Sequence, residues 1–187
     1  MNWSRRRVLA AGSALAGVSA AGLLAGAARS REAMAGNERP KRIALLNLHT
    51  DERLDIEYFR DGVHVPAALS AIEVLLRDFR TGERHPIDPR LMDYLVQVAQ
   101  AAGVDPKFSV ISGYRSPQTN ARLHERSTGV AQHSLHIEGR AIDVRMSAVD
   151  CADLAAHALD LKRGGVGYYR ASDFVHLDTG AFRTWRG

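Results

Sequence analysis

The stretch that organises this chain is SLHIEGRAIDVRM, residues 134–146, which places a histidine and an aspartate seven positions apart around a glycine. Its second half, AIDVRM, alternates between apolar and polar residues, as a half-buried strand does. Ile142, Val144 and Met146 form one apolar face. Because successive side chains point to opposite faces of a strand, Asp143 lies on the other face. Asp143 on that face is therefore the first candidate functional residue.

A second stretch near the C-terminus, DFVHLDTG, has the same alternation. Val175 and Leu177 share an apolar face, so His176 and Asp178 project together from the opposite one. If the two strands are neighbours in one sheet, Asp143 joins this pair in a single cleft. The pattern therefore predicts a polar cluster built by two strands that are distant in sequence.

His136 lies beyond the Gly139 turn from Asp143 and can reach the same cleft. Two imidazoles, one carboxylate and an open fourth position are the pattern of catalytic zinc. The remaining carboxylate would then take a proton from the attacking water. The same residues also fit ordinary polar positions on a solvated sheet, since this spacing occurs by chance. Spacing alone leaves both interpretations open.

The other patterns predict an α+β fold. RIALLNLHT and RLDIEYF are strand-like and predict a β-hairpin. AALSAIEVLLRDFR and RLMDYLVQVAQAAG have helical spacing, and Asp88-Pro89 is a good cap for the second helix. KFSVIS reads as a strand and DCADLAAHALDL as a helix, and a turn at 170–172 joins the final two strands, GGVGYY and DFVHLDTG. Helices mainly early and strands mainly late predict helices packed on a mainly antiparallel sheet.

The N-terminus has the features of an export signal. SRRRVLA is followed by an apolar run, Val8–Ala28, and by the small-residue ending AMA. Arg5 and Arg6 resemble the twin-arginine signal of the Tat pathway, with a Sec signal or an uncleaved membrane anchor as alternatives. We therefore expect a periplasmic protein. The predicted divisions are a twin-arginine-type signal peptide (1–35), a linker (36–41) and one domain (42–187).

Charge and cysteine content exclude several classes of function. The predicted signal peptide carries five arginines and one glutamate, which account for the whole net charge of +4. The remainder has 20 basic and 20 acidic residues, so no nucleic-acid partner is expected. Cys151 is the sole cysteine, which excludes an intramolecular disulfide and a thiolate zinc cluster. We expect no stable membrane partner unless the leader is retained.

The motifs now resemble a known family. S-x-H-x-x-G-x-A-x-D, matched by Ser134, His136, Gly139, Ala141 and Asp143, resembles the first zinc motif of the LAS metallopeptidases, which include the zinc D-alanyl-D-alanine peptidases. FVHLDTG resembles their second motif, and ISGYRS the segment that places an active-site arginine. Together with LNLHT, SGYRSPQTN and GVGYY, these motifs are similar to the YcbK-like murein endopeptidases over nearly all of the chain after the leader.

The resemblance implies a LAS/hedgehog-like peptidase fold with a zinc cleft. His136, Asp143 and His176 would bind Zn²⁺. Arg115 would stabilise the oxyanion formed when water attacks an amide carbonyl, or would form a salt bridge that holds its loop. The implied function is hydrolysis of peptidoglycan cross-links between stem peptides during cell-wall remodelling. The alternatives are a D,D- or L,D-carboxypeptidase that trims stem peptides and a non-catalytic peptidoglycan-binding module.

The resemblance leaves two candidates for the general base. Many carboxypeptidase relatives carry E-x-W-H, with the glutamate three residues before the last ligand, and Asp173 has that position here. Asp178 lies on the same strand face as His176 and matches the H-x-D-T-G pattern of the endopeptidases. We favour Asp178, with orientation of a histidine as its alternative role.

Overall fold

The computed structural model describes residues 39–126 and 131–187. The predicted signal peptide (1–35) and the first half of the predicted linker lie outside the described residues. Lys41, assigned to the end of the linker, already belongs to the first strand. Of the helices in the described residues, none has the length and apolar character needed to cross a membrane.

Eight strands of the described chain form one sheet. They are β1 (Lys41–Asn47), β2 (Arg53–Arg60), β3 (Val63–His64), β4 (Lys107–Ser112), β5 (Ala141–Arg145), β6 (Gly165–Tyr169), β7 (Phe174–Asp178) and β8 (Arg183–Arg186). The order across the sheet is β3-β2-β1-β4-β5-β7-β6-β8. The pairs β1–β4 and β6–β8 are parallel and the other pairs are antiparallel. The predicted α+β fold with a mainly antiparallel sheet is confirmed.

Four α-helices accompany the sheet in the described residues: α1 (Pro66–Leu75), α2 (Pro89–Ala101), α3 (Pro117–Arg126) and α4 (Cys151–Leu161). The predicted cap of α2 is confirmed, because the Asp88 carboxylate accepts from the Arg90 N–H at 3.0 Å. Helix α1 ends four residues before Phe79, the last apolar residue of its helical pattern. Its continuation is prevented because the Leu76 carbonyl accepts from the Tyr114 N–H at 2.8 Å instead.

The core lies between the apolar face of the sheet and helices α1, α2 and α4. The two strand faces predicted to be apolar are both in it, since Ile142, Val144, Val175 and Leu177 have no exposed side-chain surface. Each fully buried aliphatic side chain contributes about 1.5–3 kcal/mol relative to exposure. Burial of this face fixes the register and so directs Asp143, His176 and Asp178 to the other side.

Strand β8 was not predicted. Its sequence, RTWR, is short and mostly charged, so it lacks the apolar alternation that identifies a strand. It pairs in parallel with β6, and this pairing places Trp185 opposite Gly167. The unpredicted strand is therefore separated by β6 alone from β7, one of the two strands that build the polar cluster.

Gly139 forms the turn between His136 and β5. Its φ is +64°, and an added Cβ would lie 2.1 Å from the Pro86 carbonyl oxygen. The Gly139 carbonyl also accepts from the Asp88 N–H at 2.9 Å, which ties this turn to the start of α2. Only glycine fits both the left-handed backbone and the close approach.

Gly139→Ala is expected to destabilise the protein by about 1–3 kcal/mol more than Gly103→Ala, because the latter lacks the steric overlap. Gly103 has a similar φ, +70°, but nothing lies within 4 Å of an added Cβ. The comparison therefore separates the close approach from the backbone conformation. Urea unfolding of both variants measures the difference, and equal losses would show that Pro86 moves aside without cost.

Candidate metal centre and active site

Strands β5 and β7 are direct neighbours, which is the condition for their polar faces to meet in one cleft. They pair antiparallel with Asp143 opposite His176 and Ala141 opposite Asp178. Because directly opposite residues point to the same face, the carboxylate of Asp143 and the imidazole of His176 meet above the sheet. The Asp143 Oδ1 lies 2.9 Å from the His176 Nδ1.

His136 reaches this pair from the loop before β5. Its side chain is buried, and its Nδ1 lies 2.7 Å from the Gly113 carbonyl oxygen. A carbonyl only accepts, so Nδ1 carries the proton and Nε2 has the free lone pair. That Nε2 lies 3.2 Å from the His176 Nδ1 and 3.3 Å from the Asp143 Oδ1. Three potential ligand atoms therefore face one another.

The three residues fit a zinc ion. Their ligand atoms lie within 4.8 Å of one another, and all three residues are buried. Neighbouring ligands of tetrahedral zinc, bound at about 2.0–2.1 Å, are separated by about 3.3 Å. The observed separations of 2.9, 3.2 and 3.3 Å are close to that value. Both histidines hold their other ring nitrogen in a hydrogen bond, as metal-binding histidines do.

The protonation of His136 and Asp143 also suits a metal. Burial lowers the pKa of His136, which keeps its ring neutral. Burial alone would raise the pKa of Asp143, but the neighbouring His136, His176 and Arg115 hold it well below its usual value. A neutral imidazole and an ionised carboxylate are the forms that bind zinc. Burial would lower the pKa of His176, but its hydrogen bonds with Asp143 and Asp178 raise it, so zinc would have to displace a proton from this ring. The predicted ligand set thus has the geometry that the metal requires, and two of its three members already have the required protonation state.

Arg115 lies beside the cluster. Its Nη2 donates to the Asp143 Oδ2 at 2.5 Å and its Nε to the Ser112 Oγ at 2.9 Å. None of the described residues accepts a hydrogen bond from its Nη1. The predicted salt bridge and the predicted oxyanion role are compatible, because two nitrogens hold the side chain and a third still has free donors.

Asp178 is fully buried behind His176. Its Oδ2 lies 3.0 Å from the His176 Nε2 and accepts from the Arg183 Nη2 at 2.7 Å. Its Oδ1 accepts from Arg183 and from the backbone N–H groups of Gly165 and Gly180. Burial would raise the pKa of Asp178, but the hydrogen bonds from His176 and Arg183 lower it. Both oxygens are occupied, which matches the alternative role of orienting a histidine.

Asp173, the other predicted base, lies elsewhere. It precedes β7 with a left-handed backbone, φ +52°, and its side chain is 67% exposed. Its carboxylate lies 3.4 Å from the Arg145 Nη1. The structure does not bring it to the three ligands, and it is absent from the described lining of the cleft. Its short side chain would need a rearrangement of the preceding turn to act there.

A cleft of about 500 Å³ opens above the cluster. One wall is aromatic: Tyr169 stacks on Phe174 at 4.5 Å, and the Tyr169 hydroxyl accepts from the Trp185 Nε1 at 2.9 Å. Trp185 also packs 5.1 Å from the His176 ring. The described lining consists of Arg115, Ala131, His133, Ser134, Leu135, His136, Asp143, Tyr169, Ser172, Phe174, His176, Arg183 and Trp185.

Sequence reasoning missed Arg183 and Trp185. Both belong to the unpredicted strand β8. The sequence does contain a signal for this strand. The Thr179-Gly180 turn is followed by residues 182–185, in which the two missed residues alternate with Phe182 and Thr184. Such a turn with an aromatic residue after it indicates a further strand returning along the sheet.

The comparisons with known proteins identify the family of this chain. The family described as peptidoglycan L,D-endopeptidase MepK matches residues 35–185. The chain belongs to this family. The probable peptidoglycan L,D-endopeptidase MepK of Haemophilus influenzae is 40% identical over 156 residues, which cover 83% of this chain and 84% of the relative. The peptidoglycan L,D-endopeptidase MepK of Escherichia coli K12 is 39% identical over 147 residues, covering 79% and 81%.

Membership in the MepK family confirms the resemblance to murein endopeptidases that the motifs indicated. It also places the chain among the M15-type metallopeptidases. The match covers β1 to β7 completely and all of β8 except its last residue, Arg186. The candidate metal centre is therefore the site expected of an enzyme of this class.

Proposed function

We propose that this protein is a zinc-dependent peptidoglycan endopeptidase that hydrolyses peptide cross-links between stem peptides. The observation that carries the proposal is the buried cluster of His136, Asp143 and His176 at the base of a cleft. The names of the 39–40% identical relatives support an L,D-bond as the bond that is cut. Bound zinc would polarise the scissile carbonyl and lower the pKa of the attacking water.

Oxyanion stabilisation, orientation of a ligand and shielding of the cleft fall to the chain's own residues. Arg115 Nη1 would donate to the oxygen that gains negative charge, while its other nitrogens stay on Asp143 and Ser112. Asp178 would hold the His176 ring so that Nδ1 faces the cluster. The aromatic wall of Tyr169 would shield one side of the cleft from water.

The cleft favours an endopeptidase over a carboxypeptidase. A carboxypeptidase needs a cation that is free to bind the terminal carboxylate of its substrate. Arg183 is paired with the buried Asp178, and Arg115 is paired with Asp143 and would use its remaining nitrogen, Nη1, for the scissile carbonyl, so neither arginine of the described lining is left for a terminal carboxylate. A substrate without a terminal carboxylate at this point fits the site better.

The place of action in this proposal is the periplasm. It rests on the twin-arginine-type pattern at Arg5 and Arg6 and on the apolar run that follows. Peptidoglycan lies outside the inner membrane, so a peptidase that cleaves it has to be exported. Fractionation of cells that make the full chain tests this point.

Digestion of purified muropeptides tests the activity. The zinc-loaded protein is expected to convert cross-linked dimers into monomers and to leave monomeric pentapeptides intact. Dimers joined by L,D-bonds should be cut, and dimers joined by D,D-bonds should serve as the matched control. Removal of zinc with a chelator should stop the reaction, and added Zn²⁺ should restore it. Binding to sacculi without new products in excess Zn²⁺ would identify a wall-binding module instead.

A further inference from the structure

We propose that Asp78 is a positioning residue that acts through Ser116 to aim Arg115 at the substrate. The inference rests on the proposed function, in which Arg115 contacts the reacting amide. Asp78 lies in the segment after α1, remote in sequence from both zinc motifs. It does not line the cleft as described.

The contacts of Asp78 converge on a single residue of the arginine loop. Its Oδ2 accepts from both the backbone N–H and the hydroxyl of Ser116, at 3.0 and 2.7 Å. Its Oδ1 accepts from the Arg80 N–H at 3.0 Å, and the side chain is only 1% exposed. A buried carboxylate that accepts this many hydrogen bonds holds itself and its donors in one arrangement.

The loop is held on both sides of Arg115. Before it, the Tyr114 N–H donates to the Leu76 carbonyl at 2.8 Å. After it, Ser116 is bound by Asp78. An added Cβ on Gly113 would lie 2.6 Å from the Leu76 carbonyl oxygen, so the loop lies directly against this segment. Residues 76–78 therefore form a platform for the arginine.

This platform sets the direction of a long side chain. The Arg115 guanidinium makes its contacts with Ser112 and Asp143 at the far end of the side chain. A rotation of about 10° at the Cα would displace the guanidinium by about 1 Å, and misplacement by about 1 Å can cost about 10²-fold in rate. Loss of the Asp78–Ser116 contact would permit such a rotation while leaving the ligands of the metal in place.

Asp78→Asn is expected to lower kcat about 10–100-fold, with KM and the bound zinc little changed. The amide can accept through one oxygen only and sets an NH₂ group against the donors of Ser116 or Arg80. In an Arg115→Ala background, the same substitution is expected to change kcat less than about twofold, because the residue it positions is gone. An equal fold-loss in both backgrounds, or loss of zinc, would overturn the proposal.

Asp150→Asn is the matched control. Asp150 also accepts from two donors, the N–H groups of Ala152 and Asp153 at 3.0 Å each, but it caps α4 away from the cleft. It should lose stability without losing kcat. If Asp78→Asn does not fold, Ser116→Ala replaces it in the same cycle, since that variant removes the hydroxyl and keeps the carboxylate.

A measurement without substrate separates this inference from the proposed function. The ¹⁵N resonance of the Arg115 Nε–H group reports whether the guanidinium is held. It should be resolved and slow to exchange in the zinc-loaded wild type and should be broadened by Asp78→Asn. If the wild type cleaves no muropeptide, the proposed function fails and this readout still tests the positioning. A resonance unchanged by Asp78→Asn would overturn the inference.

Discussion

His136→Ala and His176→Ala are each expected to abolish zinc binding and all peptidase activity. Each substitution removes one of three buried ligands, and two ligands do not hold a catalytic zinc ion. In both variants the Asp143 carboxylate also stays buried beside Arg115 with one fewer neighbour. The expected result is a fall from about one zinc ion per chain to none.

His133→Ala is the control for this pair. His133 lines the same cleft and stands three residues before His136, but it is not part of the cluster of ligand atoms. Its zinc content should equal that of the wild type. Elemental analysis after dialysis, together with unfolding temperature with and without Zn²⁺, measures the effect, since a ligand stabilises only a form that binds it. Full zinc in either ligand variant would place the metal elsewhere.

The part of the site that follows from sequence is the part built by strand alternation. Asp143 and His176 each stand between apolar residues that are buried in the sheet. Burial of those neighbours leaves a single orientation for each polar side chain. The alignment of the two residues across β5 and β7 then follows once the strands are adjacent. Alternation therefore predicts that Asp143 and His176 share a face, whereas their assignment as zinc ligands, together with His136 from the preceding loop, came from the resemblance to the LAS metallopeptidases.

Contacts made across long sequence separations could not be predicted in the same way. Nothing in the pattern around Asp78 indicates a bond to Ser116, 38 residues away. Helix periodicity even assigned this residue to α1. Periodicity reports only which residues share an apolar face, and it does not reveal hydrogen-bond partners elsewhere in the chain that end a helix. The Leu76 carbonyl accepts its hydrogen bond from Tyr114 instead of from a residue of the same helix. Tertiary packing decides which of these hydrogen bonds forms.

The surroundings of Asp178 illustrate the same limit. Alternation correctly places it on the face of His176. It does not reveal that Arg183 and two backbone N–H groups occupy its oxygens, because Arg183 comes from a strand without an apolar pattern. A carboxylate that looks available as a base in sequence is enclosed in the structure.

Asp178→Asn is expected to weaken zinc binding about 10–100-fold, as loss of a partner that orients a metal-binding histidine does. The wild-type carboxylate accepts from the Nε2 of His176, which leaves Nδ1 deprotonated for the metal. In the variant, an amide NH₂ facing Nε2 would favour the tautomer with its proton on Nδ1. That tautomer cannot bind zinc through Nδ1, so affinity and activity should fall together.

Asp173→Asn is the matched variant for the second predicted base. Asp173 is exposed, and among the described residues its carboxylate is within ion-pair distance of one cation, Arg145. Its substitution should therefore change zinc affinity and kcat less than about twofold. Zinc affinity from competition with a chromogenic chelator, and kcat at saturating Zn²⁺, decide between the roles.

If Asp178 were instead the general base, Asp178→Asn would keep wild-type zinc affinity and lose about 10²–10⁴-fold in kcat. If Asp173 were the base, that loss would appear in Asp173→Asn, and the turn before β7 would have to refold when substrate binds.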